Sequence, residues 1–194
     1  MQLIGSKKSR AFRTLWMLEE LGVTYDHLPA MPHAPEVKAV NPSGKIPALV
    51  LDGAAITDST AILTYLADAH GQFTHRAGTA ARGLQDALTC MILDEVDGAL
   101  WTGAKHSFVL PEDRRVAEVK PTAKWEFEKA LARLEEALTG PYLMGDDIMV
   151  PDFILVHCLG WAKIAGFPEP GPRVEAYFHH ARARDGYKRA AALS

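Results

Sequence analysis

The stretch that decides the fold of the first domain runs Ile46-Pro47-Ala48-Leu49-Val50-Leu51-Asp52-Gly53-Ala54-Ala55-Ile56. Two apolar runs flank Asp52-Gly53, a residue pair that accepts positive φ at both central positions of a type I′ turn. The pattern therefore predicts a β-hairpin, with two antiparallel strands joined by a tight turn.

The residues before this hairpin predict a parallel strand–helix–strand unit. Met1 to Gly5 is a short apolar run typical of a buried strand, and Val23 to Leu28 is a second candidate strand. Between them a helical pattern begins at Ser9 and stops at Gly22. Its apolar residues recur near the helical period: Phe12, Leu15, Trp16 and Leu21. Two strands separated by one helix favour a βαβ arrangement.

The residues around the hairpin complete the first domain. Four prolines make residues 29–44 a loop, with one helical turn around Glu36 to Val40. After the hairpin, Asp58-Ser59 begins a helix. Its predicted buried face consists of Ala61, Ile62, Tyr65, Leu66 and Ala69. Residues 1–70 thus read βαβ followed by ββα.

The rest of the chain is predicted to be helical. Residues 71–79 are polar and contain two glycines, which suits a linker, and residues 80–194 form an all-helical domain. The candidate helices are Arg82 to Trp101, Pro121 to Thr139, Phe153 to Ile164 and Val174 to Leu193. The second has Trp125, Leu131, Leu134 and Leu138 on its apolar side, and the third is apolar nearly all round, as a central buried helix is. The predicted fold class is α/β followed by all-α.

Composition narrows the class of protein. The chain has 194 residues, 48% of them hydrophobic, and a formal net charge of -3. The apolar content argues against disorder, and the charge balance argues against a dedicated nucleic-acid binder. Two cysteines, Cys90 and Cys158, without a CxxC pair favour a reducing compartment. With no signal-peptide pattern and no apolar segment of membrane-spanning length, we expect a cytoplasmic protein that has no nucleic-acid or membrane partner.

Several catalytic patterns are missing. No GxSxG motif supports an esterase, and Gly44-Lys45 lacks the upstream glycine of a phosphate-binding loop. The eight histidines include no HExxH motif, and no Cys/His cluster has zinc-ligand spacing. We expect no metal site.

Three segments of the first 70 residues carry a resemblance to a known family. They are Gly5-Ser6 with Ser9-Arg10-Ala11-Phe12-Arg13-Thr14-Leu15-Trp16-Met17-Leu18-Glu19-Glu20-Leu21-Gly22, then Asn41-Pro42-Ser43-Gly44-Lys45-Ile46-Pro47-Ala48-Leu49, and Asp58-Ser59-Thr60-Ala61-Ile62-Leu63-Thr64-Tyr65-Leu66. In this order they resemble the soluble glutathione S-transferase family. Tyr142-Leu143-Met144-Gly145-Asp146 and Val150-Pro151-Asp152 resemble the family's helical-domain signature, so the resemblance covers nearly the whole chain.

The resemblance implies a thioredoxin-like domain that binds glutathione and a helical domain that helps to bind a second substrate. It implies that Lys45, Ile46 and Pro47 bind glutathione, with Pro47 in the cis form and Ile46 paired to the cysteinyl part. It also places the γ-glutamyl carboxylate on Ser59 and makes Asp58 a partner for the amino end. The residues suit these roles, because a helix start attracts anions and a residue before proline is held extended.

The predicted catalytic device is a lowered pKa of the glutathione thiol. Ser9, at the start of the first helix, is the candidate hydroxyl donor to the thiolate, and Ser6 is the alternative. Ser9 has a simpler reading as an N-terminal helix cap. The loop contains neither Cys nor Tyr, so the resemblance favours the serine-type branch. Four nearby basic residues would favour a bound anion, although a solvated basic surface explains most of them equally well: Lys7, Lys8, Arg10 and Arg13.

The second-substrate pocket is predicted from Trp101, His106 and Phe108, although aromatic residues at such positions belong more often to the core. One departure from the family concerns Met149, where Ser or Thr usually caps the buried helix together with Asp152. We expect either a weaker helix start or a substitute cap from Asp146 or Asp147.

The resemblance implies a glutathione transferase that joins the glutathione thiolate to a small, mostly apolar electrophile, with glutathione as cosubstrate and no metal. It also implies a homodimer, in which the α/β domain of one subunit packs on the helical domain of the other. Two alternatives remain open. One is a non-catalytic ligand-binding or interaction protein with this fold, and the other is a glutathione-dependent isomerase or dehalogenase.

Overall fold

The computed structural model describes residues 1–193, which form two compact units. The first contains Met1–Arg76 together with the residues from Arg182 onward, and the second contains Ala77–Ala181. The sequence pattern predicts one helical domain over residues 80–194. The last helix instead packs on the first helix of the chain, and it therefore belongs to the α/β unit.

A mixed four-stranded sheet forms the centre of the first unit. Its strands are β1 (Gln2–Ile4), β2 (Asp26–Leu28), β3 (Ala48–Leu51) and β4 (Ala54–Thr57), in the order β2-β1-β3-β4. β1 pairs in parallel with β2 and antiparallel with β3, and β3 pairs antiparallel with β4. Asp52 and Gly53 have φ of 48° and 79°, which confirms the predicted hairpin with positive φ at both turn residues.

Four helices belong to this unit: α1 (Ala11–Leu21), α2 (Pro35–Val40), α3 (Ser59–His70) and α9 (Asp185–Ala192). α1 ends at Gly22, which adopts a left-handed conformation, as predicted. The predicted face of α3 is half wrong. Ile62 and Leu66 are buried, together with Ser59, Leu63 and Ala67, but Ala61, Tyr65 and Ala69 are exposed. The helix is rotated because it packs against both α1 and the sheet.

The second unit is helical throughout, as predicted. Its helices are α4 (Ala80–Met91), α5 (Gly98–Ala104), α6 (Val119–Ala137), α7 (Val150–Ala165) and α8 (Pro172–Arg182). π-helical turns at Ile92–Asp97 and Lys105–Val109 extend α4 and α5 into one continuous helical stretch, longer than the predicted Arg82 to Trp101. A 3-10 turn at Glu112–Arg114 follows.

α7 is the buried helix that the sequence predicts, with every residue from Val150 to Val156 buried. α6 packs through Leu131 and Leu134, as expected. Trp125 was wrongly assigned to this apolar side. Its side chain is 56% exposed, and Lys129 Nζ lies 4.4 Å from the centre of its ring.

The start of α7 is organised by Asp152, which is fully buried. One carboxylate oxygen accepts from the backbone N–H of Met149 at 2.8 Å. The other accepts from the N–H of Leu143 at 3.0 Å and from the hydroxyl of Tyr177 at 2.9 Å. Burial and the nearby Asp152 carboxylate raise the pKa of Tyr177 well above its usual value. Asp152 itself thus secures the helix start that Met149 was expected to weaken.

The single closing helix predicted over Val174 to Leu193 is wrong, because the chain breaks between α8 and α9. Arg184 is extended there, with ψ of 144°. The break brings Arg184 onto the carboxylate of Glu20 and places Gly186 where any side chain would collide with Glu20. Tertiary contacts therefore end the helix at a point where the local sequence continues it. Within residues 1–193 no helix is long and apolar enough to cross a membrane.

Candidate functional site

The end of β1, the start of α1 and Pro47 meet at Gly5. A Cβ atom at this glycine would lie 2.9 Å from the Cβ of Ala11 and 3.3 Å from that of Ile46, and the φ of 148° also requires glycine. The carbonyl of Gly5 contacts Nε2 of His27 at 2.9 Å. The Ile46–Pro47 peptide bond is cis, as the resemblance implied.

The loop that leads into Pro47 is held by Asn41. Its Nδ2 donates to the carbonyl of Lys45 at 2.8 Å, and its Oδ1 accepts from the hydroxyl of Ser43 at 2.8 Å. The N–H of His33 donates to the carbonyl of Gly44 at 2.8 Å. These bonds fix the backbone and leave the Lys45 side chain exposed to solvent. In the sequence, Asn41 is only the first residue of the motif that runs to Leu49. These contacts show that it holds the loop.

Ile46 presents an unpaired backbone edge. Among the described residues, neither its N–H nor its C=O has a hydrogen-bond partner. Its side chain packs against the small core cluster of Ile4, Ala30 and Val37, which fixes its position. The backbone N–H and C=O of Ile46 can therefore form the two hydrogen bonds that an extended peptide makes with a neighbouring strand.

A buried positive charge lies behind the start of α3. Ser59, the first residue of the helix, is 2% exposed, and its hydroxyl accepts from Nη1 of Arg13 at 3.4 Å. Arg13 is itself fully buried, so it is not part of a solvated basic surface. The N-terminal end of a helix adds further positive potential. Together these features favour an anion beside Ser59.

Asp58, rather than Ser59, caps α3. Its Oδ1 accepts from the N–H groups of Thr60 at 2.8 Å and Ala61 at 3.3 Å. Its φ is 74°, a conformation that costs free energy for a residue with a side chain and often marks a functional position. The carboxylate is exposed.

The loop between β1 and α1 has two serines with different hydrogen bonds. The Ser9 hydroxyl donates to the carbonyl of Ser6 at 2.7 Å and accepts from the N–H of Ala11 at 3.1 Å. The Ser6 hydroxyl accepts from the N–H of Lys8 at 3.3 Å. Among the described residues nothing accepts the Ser6 proton. Ser9 therefore has a local structural role, although the helix cap itself is Arg10.

The three residues predicted for the second pocket lie in the second unit. Trp101 is half-buried in α5, and Phe108 is 69% exposed. His106 accepts through Nδ1 from the N–H of Val116 at 3.0 Å. Within residues 1–193, no group of three or more His, Cys, Asp or Glu side chains is placed to hold a metal ion.

Comparison with known proteins identifies a family that is similar to the first domain. Residues 9–69 match the family described as "Glutathione S-transferase, N-terminal domain". That range includes the start of α1 after Ser9, the backbone at Ile46 and Pro47, and the start of α3 at Ser59. The first domain is thus similar to the N-terminal domain of the glutathione S-transferases.

Relatives extend the similarity to the whole chain. The curated protein "Glutathione S-transferase GstA" of Escherichia coli O157:H7 is 32% identical over 126 residues, 64% of this chain, and the matched region spans 60% of that relative's length. The solved glutathione transferase of Methylococcus capsulatus is 26% identical with a TM-score of 0.84, covering 97% of this chain and 96% of its own. The theta class enzyme of Xanthomonas axonopodis, solved with glutathione bound, is 25% identical with a TM-score of 0.80, covering 100% and 97%. The chain thus has the two-domain fold of the glutathione S-transferases, which confirms the predicted fold class.

Proposed function

We propose that the chain is a glutathione transferase that joins the thiolate of glutathione to a small, mostly apolar electrophile. The unpaired backbone edge of Ile46 beside cis Pro47 carries this proposal. Glutathione is a short extended peptide, and its cysteinyl N–H and C=O need such a pair. The similarity of the chain to glutathione S-transferases supports the same reading.

The charges around this edge suit the two carboxylates of glutathione. We assign the γ-glutamyl carboxylate to Ser59, where the Arg13 guanidinium and the helix end favour an anion. Both capping bonds of Asp58 use Oδ1. Its Oδ2 would accept a hydrogen bond from the α-amino group of glutathione. The exposed ammonium of Lys45 would bind glutathione from the other side of Ile46.

Activation of the thiol falls to the loop serines. A hydroxyl that donates to the thiolate lowers the pKa of the thiol and raises the nucleophile concentration. Ser9 is the assigned donor, and it must exchange its bond to the Ser6 carbonyl for one to sulfur. Ser6 remains the alternative, because its proton is uncommitted.

The electrophile is assigned to the helical unit. Trp101, His106 and Phe108 lie on the continuous stretch formed by α5 and the π-helical turn after it. The exposed ring of Phe108 provides apolar surface, and Nε2 of His106 provides a polar contact. An apolar wall with a few polar groups fits a small hydrophobic electrophile.

One observation favours a second candidate, a glutathione-binding protein without catalysis. The Ser9 hydroxyl already donates to Ser6 and accepts from Ala11, as a purely structural serine would. If neither serine hydroxyl donates a hydrogen bond to the glutathione sulfur, the site binds glutathione and leaves the thiol protonated.

Titration with glutathione, followed by calorimetry and by ultraviolet thiolate absorbance near neutral pH, tests the proposal. We expect saturable binding, a thiolate signal and turnover with a panel of small electrophiles. Ser59→Ala should weaken glutathione binding about tenfold, the cost of one charge-assisted hydrogen bond. Thr60→Ala is the matched control, because it leaves the backbone bond to Asp58 intact. Absence of binding by the unmodified protein would refute the proposal, and binding without thiolate would favour the non-catalytic protein.

A further inference from the structure

Helix α9 reaches the loop that carries Ser6 and Ser9. Lys7, between the two serines, is half-buried, and its Nζ donates to the carbonyl of Leu193 and, at 3.5 Å, to that of Ala191. The last carbonyls of a helix have no partners within the helix, and they form the negative end of its dipole. The Lys7 ammonium therefore occupies the position where a cation stabilises α9.

α9 is a firm support for this contact. Arg184 and Arg189 form ion pairs with Glu20 at 2.8 Å and Glu19 at 3.0 Å. The two carboxylates are mostly shielded from water, with side-chain exposures of 8% and 18%. Shielded pairs are less screened by salt than pairs on an open surface.

Aromatic contacts add to these ion pairs. The ring of Tyr187 meets the rings of Phe12 and Trp16 edge-on, each at 5.1 Å between centroids. Trp16 also donates through Nε1 to Glu20 at 2.8 Å. α1 and α9 thus form a packed pair, and the loop before α1 contacts α9 through Lys7.

Internal bonds of the loop join Ser6 to Ser9 and to the N–H of Lys8, and the N–H groups of the first turn of α1 bind its last residues. Lys7 adds the contact that joins the loop to the end of α9. We propose that α9 positions the thiol-activating loop, with Lys7 as the positioning residue that ties the loop to the end of the helix. This inference rests on the proposed transferase function, and it assigns to the last helix of the chain a role in the glutathione domain.

Substitution of Lys7 tests the inference. Lys7→Met should raise the pKa of the bound glutathione thiol. At an assay pH below that pKa, kcat should fall about tenfold for a shift of one pKa unit. The KM for glutathione should change less than about threefold, because the binding residues are untouched. Lys7→Arg can still reach the carbonyls and should keep most of the activity. Lys8→Met removes the same charge from the neighbouring, exposed position and should match the unmodified protein.

A second pair of variants acts from the helix side. Arg184→Met removes the ion pair with Glu20 without altering the loop, and it should raise the thiol pKa in the same direction as Lys7→Met. Lys188→Met is its control, since Lys188 is exposed and pairs with Asp185 of its own helix. Equal thiol pKa and kcat in Lys7→Met and Lys8→Met would overturn the inference, as would an Arg184→Met protein with unmodified thiol pKa.

Hydrogen exchange of the loop amides separates this inference from the proposed function, because the measurement requires no glutathione. Exchange of residues 6–10 should be faster in Lys7→Met and Arg184→Met than in the two controls. Unchanged exchange would overturn the inference. If the unmodified protein fails to bind glutathione while the exchange result holds, the transferase proposal fails and the attachment of the loop to α9 stands.

Discussion

The hydroxyl of Ser9 is the proposed donor to the glutathione thiolate. We predict that Ser9→Ala lowers turnover at least about tenfold, or about 1.4 kcal/mol of transition-state stabilisation, with little change in glutathione affinity. The reason is that Ser9 would donate to the thiolate rather than hold the peptide. Steady-state kinetics beside calorimetric titration measures the two effects separately.

Ser6→Ala is the matched control for that substitution, because it removes the alternative donor from the same loop. Loss of turnover in Ser6→Ala and retention in Ser9→Ala would transfer the role to Ser6. Retention in both would contradict activation by either serine and leave backbone donors as the source of thiol ionisation.

Thr14 carries a buried hydroxyl whose oxygen, Oγ1, has no hydrogen-bond partner among the described residues. Burial without a partner costs free energy, and valine has the same shape without the hydroxyl. We predict that Thr14→Val increases the free energy of unfolding by about 1 kcal/mol. Denaturant unfolding measures the change. Thr14→Ser, which keeps the hydroxyl and loses a methyl group, should destabilise instead, and equal stability of the two variants would contradict the argument.

At the scale of single elements, Asp152 holds the start of α7 by accepting three hydrogen bonds. We predict that Asp152→Ala lowers the free energy of unfolding by at least about 3 kcal/mol, since three donors from Met149, Leu143 and Tyr177 lose their acceptor. Tyr177→Phe removes one of those donors and should cost only about 1 kcal/mol. Thermal and denaturant unfolding of the two variants provides the comparison. Equal losses would mean that the bond from the Tyr177 hydroxyl, rather than the backbone bonds from Met149 and Leu143, accounts for the whole contribution of Asp152.

Local signals explain which elements could be predicted from the sequence. The Asp52-Gly53 turn and the Gly22 stop depend on backbone conformations that few residue types adopt, so they can be read from neighbouring residues alone. The break at Arg184 adjoins Asp185-Gly186, but that pair lies within a helical pattern, and the break depends on a contact with Glu20, far away in the chain. The face of α3 was misjudged for the same reason: packing on two partners, rather than the apolar pattern, sets its rotation.

The residues of the candidate site also differ in whether local sequence is enough to predict them. The motif residues around Pro47 and Ser59 are visible in the sequence because their spacing is local. The burial of Arg13 and its contact with Ser59 join residues 46 positions apart, and a basic residue near a helix start reads equally well as solvated surface. The hydrogen bond from Lys7 to the carbonyl of Leu193 connects residues that are even farther apart in the chain. Contacts of this kind require the folded chain.

At the scale of the whole molecule, the homodimer implied by the family resemblance is a proposal that can be tested. We predict an isologous homodimer, with a mass by sedimentation equilibrium of about twice the 21.2 kDa chain. The α/β unit offers Tyr65 on α3, and the helical unit offers Leu84 on α4, whose side chain is 68% exposed. In a two-fold interface each substitution is present twice. Leu84→Glu should therefore introduce two unpaired charges and shift the protein toward monomer.

Ile164→Glu is the control for that substitution, because Ile164 is an even more exposed apolar residue, at 90%, on another helix, α7. It should leave the dimer intact, which would show that loss of association follows from the position rather than from any added surface charge. Dissociation by Ile164→Glu with a stable Leu84→Glu dimer would move the interface to α7. A monomer of the unmodified protein at micromolar concentration would contradict the proposed assembly. Because every site residue assigned for glutathione lies in the α/β unit, glutathione binding by that monomer would leave the binding proposal unaffected.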